Sequence, residues 1–195
     1  MSLVRLKPSG TVFFCCDVQE RFRTLCYNMA HVIHTSKQMA AAAKTLGIPL
    51  LVTEQYPKAL LHTVSEIDIS GAQKFEKTQF SMCIPEVWNW MTTKEMRDRR
   101  SVVLFGIEAH VCVQQTALDL IAAGYSVHVL ADGVSSQRAL DRSAALQRMQ
   151  GAGAVVTTSE SVLFELMKTK DNPVFKAISE LSKERPPPEN QLSSL

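Results

Sequence analysis

The chain has 195 residues, of which 46% are hydrophobic and 21% are charged, and its formal net charge is +2 at pH 7. This length and composition are typical of one soluble globular domain with a sizeable core, and the chain is slightly short for two domains. The small net charge does not indicate nucleic acid or an anionic membrane as a partner.

The five cysteines are spread along the chain without CxxC spacing, so neither a disulfide framework nor a zinc site is predicted. This cysteine usage favours a reducing, intracellular compartment. No run approaches the roughly 18 apolar residues of a membrane span. We therefore predict a cytoplasmic protein without a membrane partner. The C-terminal SSL departs from the peroxisomal SKL signal, and import into an organelle stays open.

Five apolar runs predict the strands of a parallel sheet, because each is continuous rather than alternating and so suits a strand buried on both faces. In chain order they are TVFFCC (11–16), IPLLVT (48–53), SVVLFG (101–106), YSVHVLA (125–131) and GAVVTTS (153–159). Helical periodicity over 22–46, 112–123 and 138–150 predicts helices between them. Strands alternating with helices predict an α/β fold: a three-layer, Rossmann-like open parallel sheet flanked by helices.

The stretch 54–80 lacks a clear period and is predicted to be a long irregular connection, which in a compact domain is usually functional or mobile. The C-terminal ERPPPENQLSSL is too polar and proline-rich to pack or to form a helix. We therefore predict a single domain over residues 1–185 and a flexible tail over 186–195.

Several ionisable side chains follow the predicted strands at their carboxyl ends, where open α/β sheets bind ligands. Asp17 directly follows the first strand, Cys112 follows the third through a short loop and opens a helix, and Asp132 follows the fourth. Lys74 and Lys77 lie in the irregular connection, which could fold over the same edge. Spacing alone does not establish that these groups meet.

Cys112 has a physical reason to be reactive. The free N–H groups and the dipole at a helix N-terminus favour a thiolate, and the same N–H groups can hold an oxyanion. A nearby lysine would stabilise the thiolate further, and a carboxylate could accept the thiol proton. The alternative is a buried, unreactive side chain, which is the common state of a free cysteine.

The histidines and Asp132 have simpler interpretations. His31 and His34 are expected on a solvated helix face rather than as a metal pair, because no third ligand is evident. His110 lies two residues before Cys112, so its side chain is expected to point away and not to act as the base. Asp132 is expected to be a turn residue.

Three motifs resemble the isochorismatase-like hydrolases, a family of cysteine hydrolases, and they occur in the family's order. They are DVQERF (17–22), KTQFSM (77–82) and GIEAHVCVQQTALDLIAAGYSVHVLADGVSS (106–136). The resemblance spans about residues 10–165, and TEQYPKAL (53–60) is most similar to the small eukaryotic isochorismatase domain-containing proteins.

The resemblance implies a catalytic Cys-Lys-Asp triad. Cys112 would be the nucleophile, Asp17 would take its proton and later activate water, and Lys77 would hold both in register. The resemblance also implies a non-proline cis peptide between Ile107 and Glu108. This bond would aim the N–H of Glu108, together with that of Cys112, at the oxyanion.

The departures from the family pattern narrow the expected reaction. Gln55 and Pro57 stand where the family's nicotinamidases have a metal-binding Asp-x-His pair, so no metal or other cofactor is predicted. The isochorismatases of the family, which hydrolyse a vinyl ether, lack a cysteine at the position of Cys112, so the presence of this cysteine points away from that reaction. The resemblance therefore implies a metal-free amidase that cleaves a small amide or carbamoyl compound through a thioester. Gln19 would either orient a polar group of the substrate or cap a turn.

Two other functions stay open. The same fold could be a non-catalytic binding or regulatory module whose site has drifted. A nucleic-acid-processing enzyme such as a ribonuclease is the third hypothesis, although the sequence has no basic stripe with aromatics and no acidic metal cluster. The expected partners are a small-molecule substrate and further copies of the chain, since the family tends to form homodimers or larger homo-oligomers.

Overall fold

The computed structural model describes residues 5–186, and within this range six strands form one parallel sheet. The strand order is β3-β2-β1-β4-β5-β6, and all neighbours are parallel. The strands are β1 (Thr11–Cys16), β2 (Leu50–Gln55), β3 (Gln73–Lys77), β4 (Ser101–Ile107), β5 (Ser126–Ser135) and β6 (Val155–Thr157). The predicted open α/β sheet is confirmed, with one strand more than the sequence indicated.

The additional strand, β3, lies in the stretch 54–80, so the prediction of an entirely irregular connection was wrong. β3 is an edge strand that pairs with β2, and most of its residues are exposed or half-buried. Its sequence QKFEK has no continuous apolar run, because an edge strand is not covered on both faces. A search for fully buried strands therefore misses it.

Within the described range the helices lie on both sides of the sheet. They are α1 (Met29–Leu46), α2 (Pro57–Leu60), α3 (Pro85–Met91), α4 (Gln114–Ala122), α5 (Ala139–Gly151), α6 (Ser159–Met167) and α7 (Phe175–Lys183). α1 begins at Met29 rather than at the predicted residue 22, because Glu20–Phe22 forms a separate 3-10 turn. This turn carries Phe22 next to the carboxyl end of β1.

Two hydrophobic cores, one on each face of the sheet, make the fold three-layered. Consecutive side chains of a strand point to opposite faces, so Phe13 belongs to the core under α1, α6 and α7, and Phe14 to the core under α3, α4 and α5. Both side chains are fully buried. Burying a side chain of this size stabilises the fold by about 1.5–3 kcal/mol. This two-sided burial explains why TVFFCC is apolar at every position.

Gly106 allows β4 to approach β1 closely. It pairs with Cys16 and has a φ of 134°. A Cβ atom at this position would lie 2.1 Å from the carbonyl oxygen of Cys16 and 2.7 Å from its nitrogen. Only glycine fits here, and the close approach brings the segment after β4 next to the residues that follow β1.

The predicted C-terminal tail, 186–195, lies outside the described residues except for Pro186. Across residues 5–186, no helix has the length and apolar character needed to span a membrane.

Candidate active site

A lysine and an aspartate form a buried ion pair at the carboxyl ends of the strands. Nζ of Lys77 lies 2.7 Å from Oδ2 of Asp17, and the two side chains are 0% and 2% exposed. Their strands, β3 and β1, are separated by β2, so their backbones are about 10 Å apart. A long side chain is needed to span that distance. The structure thus brings together two of the three predicted catalytic residues.

Four oxygen atoms surround the Lys77 ammonium. Besides Asp17, it donates to Oε1 of Gln55 at 2.7 Å and to the carbonyl oxygens of Phe80 at 2.9 Å and Gln79 at 3.1 Å. The motif KTQFSM therefore turns its own backbone around the lysine that begins it. This shell keeps the ammonium in a single place, pointing at the end of β1.

The charge of Lys77 is maintained despite its burial. Burial lowers the pKa of Lys77, but the electrostatic interactions with Cys16, Asp17 and Cys112 together outweigh this effect and raise the pKa above its ordinary value. Cys112 is therefore close enough to the ammonium to interact with it electrostatically.

The backbone and side chain of Asp17 are both held by β2. Asp17 adopts a left-handed conformation with a φ of 52°, which is uncommon for a residue other than glycine. Its N–H donates to the carbonyl of Thr53 at 3.2 Å, and its Oδ1 accepts from Oγ1 of Thr53 at 2.8 Å. One carboxylate oxygen is thus fixed by Thr53 and the other faces Lys77.

Cys112 lies in a π-helical turn, Ala109–Val113, that precedes α4. The sequence predicted a helix over 112–123, whereas the helical segment begins at Ala109. Single π-turns within helices are frequent at functional sites. Oγ1 of Thr116 donates to the carbonyl of Cys112 at 2.6 Å and accepts the N–H of Met82 at 2.8 Å. This threonine therefore connects the turn that carries Cys112 to the segment that surrounds Lys77.

The cis peptide expected between Ile107 and Glu108 does not occur, because no peptide bond within residues 5–186 is cis. Glu108 instead turns the chain with a left-handed backbone at φ 56° and ψ 60°. Its carboxylate accepts from the thiol of Cys26 at 3.6 Å and lies 3.5 Å from Nδ1 of His110. The chain therefore turns from β4 into the π-helical turn through the φ and ψ angles of Glu108, with a trans peptide bond.

Gln19 is fully buried and does not contact the cleft described below. Its Nε2 donates to the carbonyls of Gln55 and Leu61 at 3.0 and 2.7 Å, and its Oε1 accepts the N–H of Gln55 at 2.7 Å. Both amide hydrogens are therefore used by the backbone. Of the two predicted roles, the geometry supports the structural one, in which Gln19 holds the segment after β2.

The remaining sequence candidates lie outside the triad. Asp132 belongs to β5 and accepts from the N–H of Ser159 at 2.9 Å, so it caps the start of α6 rather than forming a turn. His31 is buried rather than solvated. His110 lies 3.0 Å from Oγ of Ser136. In the described part of the chain, no three or more His, Cys, Asp or Glu residues group in a way that could hold a metal ion.

The other four cysteines are buried. Burial raises the pKa of the thiols of Cys15, Cys26 and Cys83, to about 12 in the case of Cys83. Burial also raises the pKa of Cys16 well above its ordinary value, and a hydrogen bond with Cys112 adds to the effect. These four thiols are therefore packed in the protein interior and held in the protonated form.

Glu54 was not singled out in the sequence, yet it organises the loop beside the site. Its buried carboxylate accepts from Nδ1 of His62, N–H and Oγ1 of Thr63, and Nζ of Lys74, at 2.8 to 3.1 Å. Burial alone raises the pKa of Glu54, but these donors outweigh it and hold the pKa at about 2. The sequence signal that could have identified Glu54 is its position as a charged residue at the end of the buried strand β2.

In the sequence, Gln55 was noted only because it stands where related nicotinamidases have a metal-binding aspartate. In the structure its side chain accepts a hydrogen bond from Lys77. Its Nε2 also donates to the carbonyl of Thr78 at 2.9 Å. The amide therefore links the end of β2 to the lysine and to the residue after it. Its position at the carboxyl end of β2 was the signal that could have identified this role.

A cleft of about 490 Å³ opens beside Cys112. This volume lies within the range of roughly 300–1,000 Å³ that is usual for small-molecule sites. Cys112 itself is 5% exposed and lines the cleft. The buried Lys77–Asp17 pair and the thiol thus form an arrangement that could support nucleophilic chemistry on a small molecule.

Comparison with known proteins agrees with this fold. The family model for the isochorismatase domain matches residues 11–161. The chain is 48% identical over 194 residues to isochorismatase domain-containing protein 1 of Salmo salar, covering 99% of this chain and 68% of that protein. It is 49% identical over 187 residues to the secreted isochorismatase effector Isc1 of Phytophthora sojae, covering 93% and 89%.

Among solved structures, one described as MAR1 ribonuclease from Caenorhabditis elegans superimposes with a TM-score of 0.90 at 40% identity, covering 98% of each chain. The open parallel sheet with a polar site at its carboxyl edge defines the chain as an α/β protein of the isochorismatase type. The chain belongs to the isochorismatase-like hydrolase family.

Proposed function

We propose that this chain is a metal-independent cysteine hydrolase that cleaves the C–N bond of a small amide or carbamoyl compound through a thioester on Cys112. The observation that carries the proposal is the buried Lys77–Asp17 ion pair beside the cysteine that lines the cleft. A buried charge pair is costly to maintain, and this one faces the carboxyl edge where such folds bind ligands.

The proposed reaction has two halves. In the first, the carboxylate of Asp17 accepts the thiol proton of Cys112, the thiolate attacks the carbonyl carbon, and the amine leaves with that proton as the C–N bond breaks. In the second, Asp17 takes a proton from water, the hydroxide attacks the thioester, and the thiol is restored as the acid leaves. Lys77 keeps the thiolate and the carboxylate in place throughout.

The oxyanion formed in each half needs hydrogen-bond donors. We assign this role to the backbone N–H groups of Glu108 and Cys112, which belong to the turn that carries the nucleophile. Fixed backbone donors of this kind are effective because they do not need to reorient during the reaction. The substrate is expected to be a small molecule, and several copies of the chain are expected to associate.

The proposal is tested by trapping the thioester. Hexanamide would be incubated with the protein, and the mass of the intact chain and of the Cys112 peptide would be measured after rapid acid quenching. A hexanoyl adduct on Cys112, together with ammonia release that is lost in Cys112→Ala and kept in Cys83→Ala, is the expected result. If a panel of simple amides and carbamoyl compounds gives neither an adduct nor ammonia, the chain is better described as a binding module.

A ribonuclease is a second candidate, favoured by the description of the Caenorhabditis elegans structure. The net charge of +2 argues against it, since nucleic-acid enzymes bind phosphates through basic surfaces. Cleavage of single-stranded RNA that is lost in Cys112→Ala, with binding that weakens steeply as salt rises, would favour the ribonuclease over the amidase.

A further inference from the structure

The walls of the cleft beside Cys112 are largely apolar, and four separate segments supply the large apolar side chains. Phe22 comes from the 3-10 turn after β1, Leu60 from α2, Phe80 from the segment after β3, and Val111 from the π-turn. Phe80 is 54% exposed, so the mouth of the cleft presents an aromatic ring to solvent. Such exposed apolar surface at a concave site indicates a ligand with an apolar part.

The same cleft lacks a counter-ion for an anionic ligand. Among the described residues that line it, Glu108 is the one side chain of the Asp, Glu, Lys, Arg or His type, and the polar remainder includes the neutral side chains of Thr78 and Gln137. Lys77 is no substitute, because its ammonium is 0% exposed and its hydrogen bonds go to protein oxygens. The lining therefore offers a ligand one acidic side chain and no basic one, and the neighbour of that carboxyl group is Nδ1 of His110 at 3.5 Å.

From these two observations we propose that the cleft selects substrates whose acyl side is neutral and apolar, such as an alkyl or aryl amide, and rejects those that carry a carboxylate or phosphate. The inference rests on the proposed function for the placement of the reacting carbonyl at Cys112. An anion in the cleft would lose its hydration without gaining a cationic partner and would also face Glu108. Phosphodiesters are excluded on the same ground.

The test uses three thiol reagents that differ only in the group delivered to the cleft. They are iodoacetamide, N-hexyl iodoacetamide and 6-(iodoacetamido)hexanoate, of which the last two share the same chain and differ in a terminal carboxylate. In each case the sulfur displaces iodide and forms one C–S bond. The rate at Cys112 is followed by peptide mass spectrometry and divided by the rate of the same reagent with glutathione, which removes intrinsic reactivity.

The expected result is a preference of at least about tenfold for the hexyl over the hexanoate reagent, since an uncompensated carboxylate is unfavourable in an apolar site near a like charge. The hexyl reagent should also exceed iodoacetamide. Normalised rates that are equal, or faster with the hexanoate reagent, would overturn the inference. So would a failure of both long reagents to label Cys112, because the cleft would then not admit the chain.

A variant that introduces a positive charge tests the same inference, and a second variant is its matched control. Gln137→Lys adds a cation at an exposed position of the cleft and should reduce the hexyl preference about threefold or more, as a new partner becomes available to the carboxylate. Gln150→Lys makes the same change at an exposed position of α5 that does not line the cleft, and should leave the preference unchanged. Equal effects of the two variants would contradict the inference.

This readout separates the two proposals. The reagent preference depends on the cleft and is measured without turnover, so it can hold even if no thioester forms. Conversely, thioester formation from adipamic acid faster than from hexanamide would support the proposed hydrolase and overturn the inferred substrate class.

Discussion

Lys77 and Asp17 pair at 2.7 Å although a complete strand lies between the strands that carry them. The lysine approaches from the edge of the sheet, passes the end of β2 and meets the aspartate of β1. The ion pair therefore links β3 to the end of β1 across β2, in addition to its part in the proposed chemistry. Mutating each partner in turn should distinguish the effect on stability from the effect on reaction rate.

Replacing Lys77→Met should destabilise the fold by about 3–5 kcal/mol, because the buried carboxylate of Asp17 loses its partner. Alkylation of Cys112 by iodoacetamide should also slow. The control is Lys74→Met on the same strand, whose side chain is 40% exposed and pairs with Glu54 instead; about 1 kcal/mol or less is expected there. Urea unfolding and labelling rates give the two readouts, and similar losses in both variants would contradict the assigned role.

Asp17→Asn should lower kcat for ammonia release from hexanamide by about 10²–10⁴, since it removes the general base and leaves the shape of the side chain. The matched control is Asp132→Asn, which weakens the hydrogen bonds from Ser159 to a carboxylate at the start of α6 by about 1 kcal/mol and should not affect kcat. Both rates are measured below the unfolding transition of each variant. An unchanged kcat in Asp17→Asn would exclude this residue as the base.

The thiols should differ in their pH dependence. The pKa values of Cys15, Cys16, Cys26 and Cys83 are raised by burial, so these groups stay protonated as the pH passes about 8.5, where an ordinary thiol ionises. Iodoacetamide should therefore label the native protein at Cys112 alone around this pH. In guanidinium chloride all five should react. Equal, slow labelling of the five native thiols would argue against a catalytic cysteine.

Glu54→Gln should destabilise the protein at neutral pH by about 1–3 kcal/mol, because charge-assisted hydrogen bonds to a buried carboxylate are lost. The folded pKa of about 2 lies below the unfolded value of 4.5, so the carboxylate stabilises the fold above pH 4.5. That contribution decreases as the pH falls from 4.5 towards 2. Urea unfolding of the wild type and variant should therefore converge over this interval, and a pH-independent difference would contradict the assignment.

Gly106→Ala should destabilise the fold by more than about 3 kcal/mol, because the new methyl group would overlap the backbone of Cys16 and the residue has a positive φ. Gly151→Ala at the end of α5 is the control. A Cβ atom there meets nothing within 4 Å, and the change should be neutral or stabilising by up to about 1 kcal/mol. Thermal unfolding distinguishes the two, and a stable Gly106→Ala variant would show that β1 and β4 can separate.

The sequence predicted the parts of the fold that depend on continuous burial. β1 and β4 are apolar at nearly every position because both faces are covered, and their boundaries were predicted to within a residue. The edge strand β3 was missed because it is buried on one face at most, so its sequence has no continuous apolar run. The left-handed turn at Glu108 was also missed, since φ depends on surrounding contacts that no local pattern encodes.

The sequence indicated which residues to consider for the candidate site, but not how they are arranged. Asp17 and Cys112 follow the neighbouring strands β1 and β4, but the strand order was not predicted, so the sequence named both residues without showing that they meet. The contribution of Gln55 could not be anticipated, because it depends on the register between β2 and β3, in which Gln55 pairs with Lys77. Register across an edge strand is set by tertiary packing rather than by a local sequence signal.

The order of the strands has a consequence for how the protein acquires its site during folding. Asp17, Lys77 and Cys112 are supplied by β1, β3 and the turn after β4, and β2 lies between the first two. No single hairpin or helix contains two of them, so the constellation exists only after four strands from distant parts of the chain have docked. In a refolding experiment, fast labelling of Cys112 would therefore report that β1 to β4 have assembled. In a folding intermediate that lacks one of these strands, Cys112 would be present without Asp17 and Lys77 beside it.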